Sequence, residues 1–147
     1  MTAYLSTDLA YGTANQTAIP VGAKPSATVY QARIRRMRGL FALNTQTTSD
    51  TLVIGNLPAG ATFAYGVLTA SATLGASATI AIGPSTSTGK YRAAAVFTTA
   101  DTPTLFGITA ATSAAPLAAE EQVIVTIASA SLPSTGTLVV DLYYSMP

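Results

Sequence analysis

The 147-residue chain contains no histidine, no cysteine and no tryptophan, and only 9% of it is charged. Each absence removes a class of chemistry. Without cysteine there is no disulfide framework, and a chain of this length can bury a sufficient core without one. Without histidine and cysteine, nucleophilic triads and transition-metal sites lose their usual members. Charge is as scarce as reactive groups, since ordinary soluble domains carry roughly 25% charged residues. Seven Lys/Arg against six Asp/Glu leave a net charge of +1, so no global field recruits nucleic acid or a membrane. No run approaches the roughly 18 apolar residues of a bilayer span. The opening Met1-Thr2-Ala3-Tyr4-Leu5-Ser6-Thr7-Asp8 has neither the basic nor the apolar stretch of a secretory signal, so the chain reads as made and folded in a cytoplasm. No catalytic site, cofactor, metal, nucleic-acid partner or membrane partner is expected.

What the chain does contain is apolar and small. Hydrophobic residues make up 49% of it, with 28 alanines among them and 24 threonines besides. So few charges cannot cover the surface of a free monomer, which predicts a homo-oligomer, a trimer foremost, with part of each surface buried in other subunits. Small residues suit thin, flat packing between sheets and subunits. The alternative source of the alanine and threonine excess is a bias in base composition.

The first 28 residues differ from the rest. Thr13-Ala14-Asn15-Gln16-Thr17, Pro20, Gly22 and Pro25 follow neither a helical nor a strand period. They predict an extended arm, residues 1–28, ahead of a β-sandwich domain, residues 29–147. Fully extended, the arm reaches roughly 90 Å. A solvated tail is the alternative, but Tyr4, Leu5, Leu9, Tyr11, Ile19 and Val21 supply anchors that such a tail does not need.

From residue 28 onward the signals are β. Residues 29–44 form one long segment or two broken at Gly39. Residues 52–54, 62–69 and 78–82 read as strands, with Asn56-Leu57-Pro58-Ala59-Gly60 as a turn and residues 83–89 as a loop of turn formers. Residues 91–98 fit a strand or a helical turn, and residues 102–119 an irregular crossing. The β-branched run from Val123 to Ile127 and the alternating run from Leu138 to Tyr144 flank a turn, which predicts a hairpin joined by residues 132–136. Six to eight short strands with little helix imply an all-β sandwich or jelly roll.

Several motifs suggest functions that their surroundings do not support. Leu132-Pro133-Ser134-Thr135-Gly136 matches the sorting motif of wall-anchored proteins, yet only 11 residues follow, without a hydrophobic span or a basic end. Residues 83–91 resemble a phosphate-binding loop, but five residues separate the glycines and Tyr91 follows Lys90 where a magnesium-binding hydroxyl belongs. Asn15-Gln16-Thr17 fits a glycosylation sequon without an export signal. The acids are dispersed, and the adjacent Glu120 and Glu121 point to opposite faces of a strand, so no paired-carboxylate hydrolase site is read from spacing.

One charge concentration stands out. In Arg33-Ile34-Arg35-Arg36-Met37-Arg38, four of the seven basic residues fall within six positions. On a strand Arg33 and Arg35 share one face, Arg36 and Arg38 the other. No stacking aromatics interleave, as a single-strand nucleic-acid binder requires. Two readings remain: a solvated strand with intramolecular ion pairs, or docking on acidic surfaces of a protein partner.

Residues 52–144 also resemble a family of small structural proteins of tailed bacteriophages. The resemblance is carried by Leu57-Pro58-Ala59-Gly60, Gly66-Val67-Leu68, Thr73-Leu74-Gly75, Ile80-Ala81-Ile82-Gly83, Gly89-Lys90-Tyr91-Arg92-Ala93-Ala94, Thr102-Pro103-Thr104-Leu105-Phe106-Gly107, Glu121-Gln122-Val123-Ile124-Val125-Thr126-Ile127, Leu132-Pro133 and Gly136-Thr137-Leu138. It covers about two thirds of the chain and implies a cement or decoration protein. Such a protein would sit on the virion surface, bound to the major capsid protein and bridging capsomers, commonly as a trimer. No catalytic residue is implied. The partner-contact candidates are Arg33, Arg35, Arg36 and Arg38 on the body and Tyr4, Leu5, Leu9 and Tyr11 on the arm. A carbohydrate-binding β-sandwich of a phage tail or cell surface is the rival, with Tyr91, Tyr143 or Tyr144 as its platform.

Overall fold

The computed structural model describes residues 32–146. The expected arm, residues 1–28 with Tyr4, Leu5, Leu9 and Tyr11, lies outside the described residues. In chain order the elements are β1 (Arg33–Ala42), β2 (Thr51–Leu57), β3 (Thr62–Ala70), β4 (Thr79–Gly83), β5 (Arg92–Val96), β6 (Thr104–Phe106), α1 (Thr109–Thr112), β7 (Glu121–Ala128) and β8 (Thr137–Met146). β-Branched and aromatic residues make up half or more of β3, β7 and β8, as a pleated, half-buried surface favours, whereas β1 is rich in arginine.

The strands form two four-stranded antiparallel sheets, ordered β1-β8-β3-β6 and β2-β7-β4-β5. The pairs β1·β8, β2·β7, β3·β6 and β4·β5 are nested. They amount to one long ribbon, folded back at β4–β5 and rolled so that alternate pairs fall in opposite sheets. That is a jelly roll, the architecture expected from the strand count.

The rolling overturns the expected hairpin. β7 and β8 lie in separate sheets, each already flanked by two partners: β7 by β2 and β4, β8 by β1 and β3. A strand paired on both edges has no ladder left for its neighbour in sequence. Residues 129–136 therefore cross from sheet to sheet. Leu132, 2% exposed, plugs that end of the sandwich. The crossing is stitched to the chain leaving β1: the Leu132 amide donates to Gln46 O (2.8 Å), the Thr45 amide to Pro133 O (3.0 Å) and the Leu43 amide to Gly136 O (2.9 Å).

Other boundaries shift locally. β1 runs unbroken through Gly39, whose missing Cβ makes room for the Phe41 ring. β2 extends to Leu57 past a bulge at Gly55, so the turn starts later than the sequence suggests. Residues 91–98 contain the strand β5 despite three alanines in a row, because pairing with β4 overrides local helix preference. The irregular crossing holds β6 and the single turn α1.

The core lies between the sheets. Leu68, Leu138, Val140 and Leu142 from one meet Leu57, Ile80, Ile82, Val123, Val125 and Ile127 from the other, each at most 1% exposed. Phe63 joins them against Tyr91, ring centroids 4.5 Å apart. The core is thus built of branched aliphatics, while the Ala93-Ala94-Ala95 run stays exposed on β5.

Candidate interaction surface on the outer face of one sheet

Strand alternation and register fix what the β1-β8-β3-β6 sheet shows to its outer side. Met37, Gly39 and Phe41 turn toward the core, so Ile34, Arg36, Arg38 and Leu40 face away from it. Register then lays out rows across the sheet. Arg36 stands opposite Tyr143 and Tyr143 opposite Tyr65. Arg38 stands opposite Asp141, then Val67, then Leu105. Leu40 stands opposite Val139, then Thr69.

This face is conspicuously apolar. Of the seven large hydrophobic side chains exposed among the described residues, Leu105 (71%), Leu40 (67%), Ile34 (55%) and Tyr65 (41%) lie on it, and Ile108 follows β6 after Gly107. Only Val53 and Val96 belong to the other sheet. Tyr65 and Tyr143 stack at 4.7 Å with planes 18° apart. Beside them a depression of about 500 Å³ is lined by Tyr65, Leu105, Phe106, Gly107 and Thr112. Gly66 belongs to its construction: a Cβ there would lie 2.1 Å from the Phe106 ring, so only glycine lets that ring close over β3.

In the middle of the face sits one acid. Asp141 is 6% exposed and receives two hydrogen bonds from Arg38, Nε to Oδ1 (2.8 Å) and Nη2 to Oδ2 (2.9 Å). Arg36 Nε approaches Oδ1 at 4.0 Å. The Arg38 hydrogen bonds, aided by the charges of Arg38 and Arg36, hold the Asp141 carboxyl below the usual carboxylate range against the opposing effect of burial. Asp141 in turn raises the Arg38 guanidinium.

The arginine run is therefore divided. Arg36 and Arg38 share Asp141 on the outer face, each with its side chain about half exposed. Arg33 and Arg35 lie at the opening end of β1, across from Met146 and Tyr144, exposed and without an ion pair among the described residues. Four arginines against one carboxylate leave this strand pair positively charged.

Sequence reasoning missed Asp141, Tyr65, Leu40 and Leu105. The alternation of Val139, Asp141 and Tyr143 with Val140, Leu142 and Tyr144 was visible. Both sets carry large apolar groups, so the pattern did not say which was outermost.

The other polar cluster is structural. Lys90 Nζ donates to Glu121 Oε2 (2.6 Å) and the Tyr91 hydroxyl to Glu121 Oε1 (2.5 Å). Burial, then the bond to Glu121, push the Tyr91 phenol well above its ordinary value. Tyr91 is 1% exposed and cannot serve as a sugar platform, and Tyr144 packs against the core, so two of the three tyrosines of the carbohydrate reading are withdrawn. Lys90 is likewise engaged. The loop that resembles a phosphate cradle is closed on itself, since a Cβ on Gly83 would lie 2.3 Å from Ser87 O. Glu120 accepts from Asn56 Nδ2 (2.6 Å), so the adjacent acids serve separate partners. Among the described residues no group of three or more Asp or Glu is placed to hold a metal ion.

No protein-family model and no curated protein matches the chain. Solved structures do. A chain of the cyanophage Pam1 capsid asymmetric unit superposes with a TM-score of 0.67 at 21% identity, over 86% of this chain and 96% of that one. A chain of the Ralstonia phage GP4 capsid gives 0.59 at 15%, over 87% and 93%. A chain of the acid-stable capsid of Helicobacter pylori bacteriophage KHP30 gives 0.58 at 14%, over 78% and 88%. At these identities what is shared is the fold: this chain is a jelly roll of a kind that occurs in bacteriophage capsids.

Proposed function

We propose that this chain is a structural protein of a bacteriophage virion, binding the outer capsid surface and bridging capsomers as a cement or decoration protein. The observation that carries the reading is the superposition of this jelly roll, over 78–87% of its own length and 88–96% of theirs, on chains of three phage capsids. The apolar outer face of the β1-β8-β3-β6 sheet supports it, because an exposed patch rimmed by polar residues marks an interaction site. The partners are the major capsid protein and further copies of this chain, arranged as a trimer. Arg33 and Arg35 supply charge for acidic surfaces on a partner, Arg36 and Arg38 frame the apolar face, and Tyr4, Leu5, Leu9 and Tyr11 anchor an arm, residues 1–28, on a neighbour. The protein works without catalysis, cofactor, nucleic acid or membrane, on a virion assembled in the host cytoplasm. Each contact is weak, and many contacts on one shell act through effective concentration, which raises retention by roughly 10²–10⁴ over a single site.

The test is a phage stock whose particles lack the protein. They should release their genome at a lower temperature than complete particles, and purified protein added back should restore the difference. Particles of equal heat resistance with and without it would refute a cementing role.

A further inference from the structure

The depression lined by Tyr65, Leu105, Phe106, Gly107 and Thr112 lies at the β6 side of its sheet. β6 has three residues and, among the described residues, pairs with β3 alone, so no described strand occupies its other edge and a further extended segment could add there. Leu105 and Tyr65 stand exposed at the rim. The row from Tyr65 through Tyr143 ends at Arg36, which is half exposed and lies 4.0 Å from a carboxylate oxygen that Arg38 already holds. The site thus offers an apolar trough beside a strand edge that no described strand occupies.

Residues 1–31, outside the described part of the chain, match this set. After Met1, Tyr4 and Leu5, then Leu9 and Tyr11, are their first large apolar groups. We propose that residues 4–11 of a neighbouring copy occupy the trough beside β6, with Leu9 and Tyr11, which share one face of an extended segment, in contact with Leu105 and Tyr65. The inference rests on the oligomeric reading above and gives that oligomer its contact. Chain length favours the neighbour over the same copy. The trough is three strand spacings from β1, roughly 14 Å. The 21 residues between Tyr11 and Arg33 extend to roughly 70 Å, a surplus that a contact within one copy would have to loop out. An arm from each copy to the next is a heterologous contact, which closes into a ring under threefold rotation.

The chain has no native cysteine, so a cross-link reads this contact cleanly. The full-length Leu9→Cys/Leu105→Cys variant is treated with a mild oxidant, both in solution and on purified particles, and run without reductant. The expected products are covalent dimers and trimers that need both cysteines. An internal disulfide within one chain, or no cross-link in either setting, overturns the proposal. If the wild type is still found on particles in that event, the virion reading stands. If the cross-link forms but the wild type is absent from particles, the virion reading fails and the contact stands. As a second arm, Leu105→Asp should weaken self-association about tenfold or more through loss of a buried leucine contact. Val96→Asp, also at an exposed apolar position (44% against 71% for Leu105) but on the other sheet, should change it little. Equal effects of the two substitutions overturn the proposal.

Discussion

Asp141 ties the outer face together at the scale of single residues. Its partner in the arginine run lies 103 positions away in sequence. The run itself was legible, because four arginines in six residues stand out in a chain with so little charge. That two of them are engaged by an aspartate on the last strand was not, since no local pattern encodes a pairing over that distance. Arg38 makes both close hydrogen bonds and Arg36 only a long contact. Arg38→Ala should therefore lower the urea midpoint more than Arg36→Ala. The pH dependence follows from the depressed Asp141 carboxyl. A carboxyl lowered in the folded state contributes stability that is fully present above its unfolded value, about 4, and is lost as pH falls through the lower folded value. Wild-type stability should thus decline more steeply below about pH 4 than that of Asp141→Asn, measured by urea unfolding across that range. Parallel declines would show that the pair contributes nothing to acid sensitivity.

At the scale of elements, strand content was readable and partnership was not. Residues 62–69 and 78–82 were placed nearly as they form, because each carries a clear apolar run bounded by turn residues. The final two strands were also located, but their pairing was inferred from proximity in sequence. In a rolled ribbon, consecutive strands mostly go to opposite sheets, and β7 and β8 follow that rule. One clue was present: the β-branched run Val123-Ile124-Val125 of β7 marks an inner strand flanked on both edges, not half of a solvent-exposed hairpin. Two substitutions test the elements that hold the roll closed. Leu132→Ala should cost roughly 2–5 kcal/mol, as for a buried leucine, because the crossing it anchors has no other large apolar group. Gly83→Ala should cost roughly 1–3 kcal/mol, since the obstructing atoms belong to the backbone of the β4–β5 loop and cannot rotate aside. Chemical denaturation measures both, and a neutral result for Leu132→Ala would show that the crossing does not seal the sandwich.

At the scale of the whole molecule, low charge and apolar surface point the same way. The sequence pointed to buried subunit contacts from composition alone. Among the described residues the structure places most of the exposed large apolar groups on one sheet, which composition could not locate because it carries no information about faces. Light scattering on the purified protein should give three times the chain mass, and a stable monomer at micromolar concentration would contradict the trimer. The proposed place on the outside of a phage capsid is read in an electron cryomicroscopy reconstruction of purified virions whose genome carries the gene for this chain. Eight-stranded jelly-roll density should stand on the outer surface, clustered in threes across the joints between capsomers, with the β1-β8-β3-β6 face turned toward a neighbour. Virions whose outer surface carries no such density, with the protein absent from the particles, would contradict it.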